Sequence, residues 1–193
     1  MRIAKYWKWI FVAIGALMAL AAGVEWGMGR SLFGPDGKFG FWVGDIWSNE
    51  CSQRLLDPYA FTHIGHGILF FGFLWLVARR FPVHHRLLIA AFLETCWEIL
   101  ENSPLIINRY RDGTIALGYG GDSILNSMSD ILMMCLGFLI AWRLPVWASI
   151  LLLVIMEIGC ALYLRDNLAL NIIMLIHPIE AIKAWQMGVH SSL

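Results

Sequence analysis

Apolar residues in this chain gather into long runs separated by short polar joints, and they do not alternate with the period of two that a sheet requires. Five runs are long enough, or nearly so, to cross a hydrocarbon core of about 30 Å at about 1.5 Å per residue. They are Trp9–Val24, Tyr59–Ala78, Leu87–Ile107, Ile124–Trp142 and Val146–Leu164. Trp7, Trp9 and Trp26 bracket the short first run as interfacial anchors do. Arg2, Lys5 and Lys8 give it the look of a secretory leader, but Gly23-Val24-Glu25 is a poor cleavage site, so it is expected to stay as the first helix. A further stretch, Leu168–Met187, is interrupted by Asn171, His177, Pro178, Glu180 and Lys183. It reads as a kinked sixth span, a re-entrant segment or a helix lying in the interface. The pattern predicts an all-α fold: an integral membrane helical bundle of five to six transmembrane helices, a single multi-pass domain over residues 1–193 with one long loop at about 27–58.

Composition narrows the class. Of the 193 residues, 59% are hydrophobic and 15% charged, well under the quarter or so of an average soluble domain, which argues against a free-standing soluble enzyme. Lys plus Arg and Asp plus Glu each number 14, so the net charge is zero and no nucleic-acid footprint is expected. Cys51, Cys96, Cys135 and Cys160 have no spacing that reads as a disulfide framework or a zinc knuckle.

Orientation follows from the joints. Arg2, Lys5, Lys8, Arg79, Arg80, Arg86 and Arg143 fall on one side, where no carboxylate occurs outside the runs. They outnumber by a small margin Arg30, Lys38, Arg54, Arg109, Arg111 and Arg165 on the other side. The positive-inside rule then puts the N-terminus in the cytoplasm and the long loop outside.

Charges within spans cost roughly 2.5–3.5 kcal/mol each on insertion scales, so each needs a partner or a purpose. The third run holds Glu94, Glu98 and Glu101 at i, i+4 and i+7, one stripe of a helix, with Asn102 beside the last. The fourth begins with Asp122 and repeats polar residues at Asn126, Ser129 and Asp130; the second opens with His63 and His66. Counted inward from the outer boundary, His63 and His66 lie at roughly 6–10 Å, Asn126 and Asp130 at roughly 3–9 Å, and Glu98 and Glu101 at roughly 8–13 Å. These clusters share one level of one leaflet, and a single outward-opening pocket is the simplest account. Two imidazoles and several carboxylates are a donor set for zinc, manganese or iron.

The expected ligands of a divalent ion are His63, His66, Glu98 and Asp122 or Asp130, with Glu94 or Glu101 as acid/base on a bound water. Arg109 and Arg111 are expected to anchor a phosphate or carboxylate of the substrate, with Asn102 and Asn126 beside them. Such a site would perform metal-assisted hydrolysis or group transfer on a lipid or lipid-linked substrate. The same residues also fit a purely structural polar core in a non-enzymatic subunit of a larger membrane complex, or a path for ions or protons. A haem is disfavoured, because the second histidine it needs would be His177, poorly placed before Pro178.

Several motifs in one order resemble a known family. His63-Ile64-Gly65-His66-Gly67 is followed by Glu94-Thr95-Cys96-Trp97-Glu98-Ile99-Leu100-Glu101-Asn102 and by Gly121-Asp122-Ser123-Ile124-Leu125-Asn126-Ser127-Met128-Ser129-Asp130. The tail Arg165-Asp166-Asn167-Leu168-Ala169-Leu170-Asn171 and Glu180-Ala181-Ile182 fits as well. Together these resemble a family of uncharacterised multi-pass inner-membrane proteins known mainly from alphaproteobacteria. The resemblance spans roughly Ser52 to Gln186 and implies a location in the bacterial inner membrane, without an activity. It departs from the family pattern in Ser31 to Phe41, which lacks a cysteine pair that many members carry there. A more distant similarity is to VanZ-like membrane proteins, which also place a histidine, a glutamate and an Asp-x-x-x-Asn in successive helices; it implies an envelope or lipid role.

Overall fold

Prolines cut the chain where its apolar runs end. The structure, a computed structural model, describes residues 2–188, with side chains from Tyr6 to Gly188. The side chains of Arg2 and Lys5 lie outside the described residues, as do the two ends of the expected 1–193 domain. The described residues form helices α1 (Arg2–Gly27), α2 (Ala60–Val77), α3 (Val83–Glu101), α4 (Pro104–Gly113), α5 (Ile124–Arg143), α6 (Val146–Leu164), α7 (Leu168–Ile176) and α8 (Glu180–Met187). Pro82 and Pro145 stand immediately before α3 and α6. Pro104 begins α4, where its missing N–H would have had no helical partner. Pro178 lies in the break between α7 and α8.

Two boundaries differ from the sequence expectation. The third run does not continue to Ile107: α3 stops at Glu101, and Leu105–Ile107 belong to α4. Leu168–Met187 is two short helices of 9 and 8 residues, each too short to reach across about 30 Å.

Among the described residues, four helices are long and apolar enough to cross a membrane: α1 over Tyr6–Gly27, α2, α5 and α6. At 19 residues α3 matches them in length, but Arg86, Glu94, Glu98 and Glu101 make it polar. It packs against α1, α2 and α5.

The tightest pair is α2 against α5. A Cβ at Gly67 would collide with the backbone at Met134 and Phe138, and one at Gly137 with the Ile64 carbonyl. Two glycines thus let the backbones touch, as small residues do between membrane helices. This contact sets the height of His63 and His66 beside Asn126 and Asp130.

Below it lies a dry core of Ile10, Ile14, Leu74, Leu87, Ala90, Ala91, Met134 and Phe138. The basic end is closed by aromatic contacts, with Tyr6 stacked on His84 at 5.7 Å and Trp7 against Trp142 at 5.5 Å between ring centroids. These contacts put the start of α1, the start of α3 and the end of α5 at one end, and the long loop, α4, α7 and α8 gather at the other.

Candidate functional site

The site is assembled where α2, α3 and α5 meet at the polar end. Glu94 Oε1 lies 2.7 Å from His63 Nδ1 and 2.9 Å from His66 Nδ1. A carboxylate can only accept, so with Glu94 ionised both imidazoles carry their hydrogen on Nδ1. That leaves the two Nε2 atoms free of Glu94. His63 Nε2 is 3.8 Å from Asp130 Oδ2, and His63 Nδ1 is 3.5 Å from Glu98 Oε1. Glu94 and Glu98 are both fully buried.

Glu98 is anomalous. Among the described residues neither of its carboxylate oxygens has a hydrogen-bond partner, a state it shares with the fully buried Glu25 of α1, and Asp130 Oδ1 is also without one. Buried polar atoms are normally paired, so an orphan carboxylate here demands an account. Among the described residues, three groups of side chains bring potential ligand atoms within 4.8 Å of one another: His63, His66 and Glu94; His63, Glu98 and Asp130; and Glu98, Glu101 and Asp122. Glu98 belongs to two of them.

Asp122 is held by its neighbours. Tyr119 donates its hydroxyl to Oδ1 at 2.9 Å and Asn102 donates to Oδ2 at 3.2 Å, while the Asp122 N–H donates to Asn102 Oδ1 at 2.7 Å. Gly121 before it has φ +89°, a left-handed conformation that a side chain resists, and a Cβ there would also meet Asn102 Oδ1 at 2.9 Å. Burial pushes the Asp122 carboxyl up to about 7 against the lowering effect of the Tyr119 hydrogen bond.

A cavity of about 100 Å³ opens beside these groups, lined by His63, His66, Glu101, Asp122, Asn126 and Asp130. Tyr59, Tyr110 and Tyr119 add hydroxyls to its rim, and Leu168, Ile172 and Leu175 of α7 give it an apolar wall. Tyr59 donates to Asp166 Oδ2 at 3.1 Å and Tyr110 to Asn171 Oδ1 at 3.1 Å, which ties the rim to α7 and the turn before it. Burial pushes the Asp166 carboxyl up to about 6.

The long loop is fastened over this end. Ser123 N–H donates to the Ser52 carbonyl at 2.9 Å, Asn126 Nδ2 to the Arg54 carbonyl at 3.0 Å and Gln53 Nε2 to the Gly121 carbonyl at 2.8 Å. Arg54 in turn pairs with Asp36 at 3.1 Å and Glu50 at 2.7 Å, so its charge is spent inside the loop.

The residues expected from the sequence are therefore mostly brought together, with three changes of position. Glu94 and Glu98 stand behind the cavity lining, whereas Glu101 faces it. Asn102 is fully buried and clamps Asp122; Asn126 lines the cavity but spends its amide on the loop. Arg109 and Arg111 are turned away from it. Arg109 donates to the carbonyls of Leu175 at 2.6 Å and Ile176 at 2.9 Å, where α7 ends before His177-Pro178, and Arg111 donates to the Tyr119 carbonyl.

Glu157 serves α7 too, accepting from the N–H groups of Leu168 and Ala169 at 3.1 Å each, a carboxylate at a helix N-terminus. Sequence reasoning missed the three tyrosines. Only their position next to Asp57-Pro58, Arg111 and Gly120-Gly121-Asp122 could have signalled them.

A family model described as "Protein of unknown function (DUF2585)" matches residues 25–188, a range that takes in every residue of the site. The chain belongs to this family. It is 48% identical over 179 residues to a UPF0314 protein of Rhizobium johnstonii, covering 93% of this chain and 92% of the relative. A UPF0314 protein of Paracoccus denitrificans is 46% identical over 188 residues, covering 97% and 95%. One from Sphingopyxis alaskensis is 48% identical over 181 residues, covering 93% and 95%. These organisms bear out the resemblance to an alphaproteobacterial family. No solved structure matches the chain.

Proposed function

We propose that this is a protein of the bacterial inner membrane whose cavity opens to the periplasm, with the N-terminus in the cytoplasm. The cavity is a divalent-metal site for hydrolysis or group transfer on a lipid or lipid-linked envelope substrate. The observation that carries the reading is Glu98, fully buried beside His63 and Asp130 with neither oxygen hydrogen-bonded among the described residues. An uncompensated buried carboxylate is costly, and a cation relieves that cost. Imidazole with carboxylate suits zinc, manganese or iron.

The Glu94 contact to both Nδ1 atoms supports the same reading, because metal-binding histidines commonly give their other N–H to a carboxylate that fixes the tautomer. Glu94 is then a positioning residue, and the acid/base role falls to Glu101, which faces the cavity.

A divalent ion held there would polarise a water and an ester oxygen. Glu101 takes the proton of the attacking water as its oxygen bonds to the carbonyl carbon or phosphorus. It returns that proton to the departing alkoxide as the ester bond breaks. The apolar wall of α7 suits an acyl chain, and the exposure of Ile172, Ile173 and Ile176 suits entry from the lipid side.

The test is elemental analysis of detergent-purified protein, wild type beside His63→Ala. Near-stoichiometric zinc, manganese or iron that is lost in the variant is expected. Metal-free wild type, still metal-free after incubation with each ion, overturns the reading.

A second reading, an accessory or structural subunit of a larger membrane complex, is favoured by the exposed rings of Phe39, Phe41 and Trp42 in the long loop. It expects a metal-free protein that co-purifies with a stoichiometric membrane partner in mild detergent.

A further inference from the structure

We propose that the pocket holds two divalent ions bridged by Glu98. The inference rests on the metal reading above and extends it. One ion is held by His63 Nε2, Asp130 and one oxygen of Glu98; the other is held by the second oxygen of Glu98, Asp122 and one oxygen of Glu101, whose other oxygen keeps the acid/base role. The two groups of potential ligands, each with its atoms within 4.8 Å, share Glu98 and no other residue.

Three observations carry the second ion. The first is that Glu98 is fully buried with neither oxygen hydrogen-bonded among the described residues, so each oxygen is open to a cation of its own, one beside His63 and Asp130 and the other beside Glu101 and Asp122. The second is charge. Glu98, Glu101, Asp122 and Asp130 are four carboxylates in one buried pocket, and among the described residues no Lys or Arg forms an ion pair with any of them. Arg54, the nearest buried arginine of the loop, is committed to Asp36 and Glu50. Glu94 spends its acceptor capacity on two imidazoles, so Glu98, Glu101, Asp122 and Asp130 are the carboxylates left for cations, and their four charges, when ionised, match two divalent ions and exceed one.

The third is support around the second group. Asp122 accepts from Tyr119 on one oxygen and from Asn102 on the other, the kind of outer hydrogen bonding that orients a ligating carboxylate, and each oxygen keeps a lone pair. In two-metal hydrolytic sites the ions lie about 3.5–4 Å apart and clamp the attacking and leaving oxygens of a displacement. A carboxylate shared between them, as Glu98 is placed to be, spans that distance.

The experiment is to saturate chelator-stripped wild-type protein in detergent with Mn²⁺, remove free ion, and measure manganese per chain together with the electron paramagnetic resonance spectrum. Two ions per chain are expected, with the spectrum of an exchange-coupled pair. Asp122→Asn is expected to bind one ion, with the spectrum of an isolated Mn²⁺. Glu101→Gln is the second variant for the same site should Asp122→Asn lose its monodisperse elution profile.

One ion per chain in wild type, uncoupled, overturns the dinuclear centre and leaves the mononuclear site standing. No bound ion overturns both. Two uncoupled ions place the second elsewhere and overturn the bridge.

Discussion

The same three helices build two unlike interiors. Toward the basic end, α2, α3 and α5 contribute Leu74, Leu87, Ala90, Ala91, Met134 and Phe138 to a dry core of ordinary apolar packing. Two turns further along, they contribute His63, Glu94, Glu98 and Asp130, buried just as deeply but with carboxylate oxygens left over. Burial alone does not separate the two halves. What separates them is the kind of group left over: the dry half is apolar side chains packed on one another, with the Arg86 Nε and Nη1 its unpaired donors, and the polar half holds oxygens of Glu98 and Asp130 without hydrogen-bond partners among the described residues.

The largest effect is expected where the halves join. Gly137→Leu sets a side chain against the Ile64 carbonyl, and no rotamer avoids a backbone obstacle. The loss should exceed the roughly 1–3 kcal/mol of ordinary overpacking. Both halves should fail together, seen as aggregation on size exclusion and loss of bound metal. A variant that elutes normally with full metal content would mean the α2–α5 contact is looser than described.

Next comes Phe138→Ala, in the dry half only. Removing a fully buried phenylalanine should cost about 3–5 kcal/mol in thermal or denaturant unfolding. Metal bound per folded chain should stay unchanged. Loss of metal at a temperature where the variant is still folded would show the two halves to be one cooperative unit.

How much of this contrast the sequence carries depends on the kind of information. The i, i+4, i+7 stripe of Glu94, Glu98 and Glu101 and the His63/His66 pair are legible because helical period fixes which residues share a face. Span depth then brings them level with Asn126 and Asp130. The roles within the cluster are not legible, since they depend on side-chain torsions: Glu94 turns toward two imidazoles and Glu101 toward the cavity, though both sit on one stripe. Arg109 and Arg111 illustrate a different limit. Their charge suggested a substrate anchor, but the break at His177-Pro178 leaves carbonyls at the end of α7, and Arg109 answers them. That pairing joins segments far apart in the chain, and no local pattern announces it.

Glu98→Gln sharpens the comparison in the polar half. With chelator present, replacing an unpaired buried carboxylate by a neutral amide should not destabilise, and should raise stability by up to roughly 1–3 kcal/mol. With saturating metal the order should reverse, because wild type gains the binding free energy and the variant does not. Melting curves of both proteins, with and without metal, check this. A variant less stable than wild type in chelator would show Glu98 to be held by the chain itself, as in the structural-subunit reading.

The smallest effect is a pH dependence confined to the polar end. Burial holds the Asp166 carboxyl at about 6, against about 3.9 for an unfolded aspartate. Between those values the folded chain keeps a proton that the unfolded chain has released, so stability is full below about pH 4 and falls as pH rises through 6. From pH 5 to 7 this amounts to roughly 1 kcal/mol. Asp166→Asn is nearly isosteric and leaves its carbonyl to accept from Asn167 and Gln186, so the variant should be the flatter of the two against pH. The measurement is the difference in unfolding free energy between wild type and variant at pH 5 and pH 7, with chelator present throughout. Equal slopes would mean that water reaches Asp166 freely, and the seal between Tyr59, α7 and α8 would then be open where the hydrogen bonds place it closed.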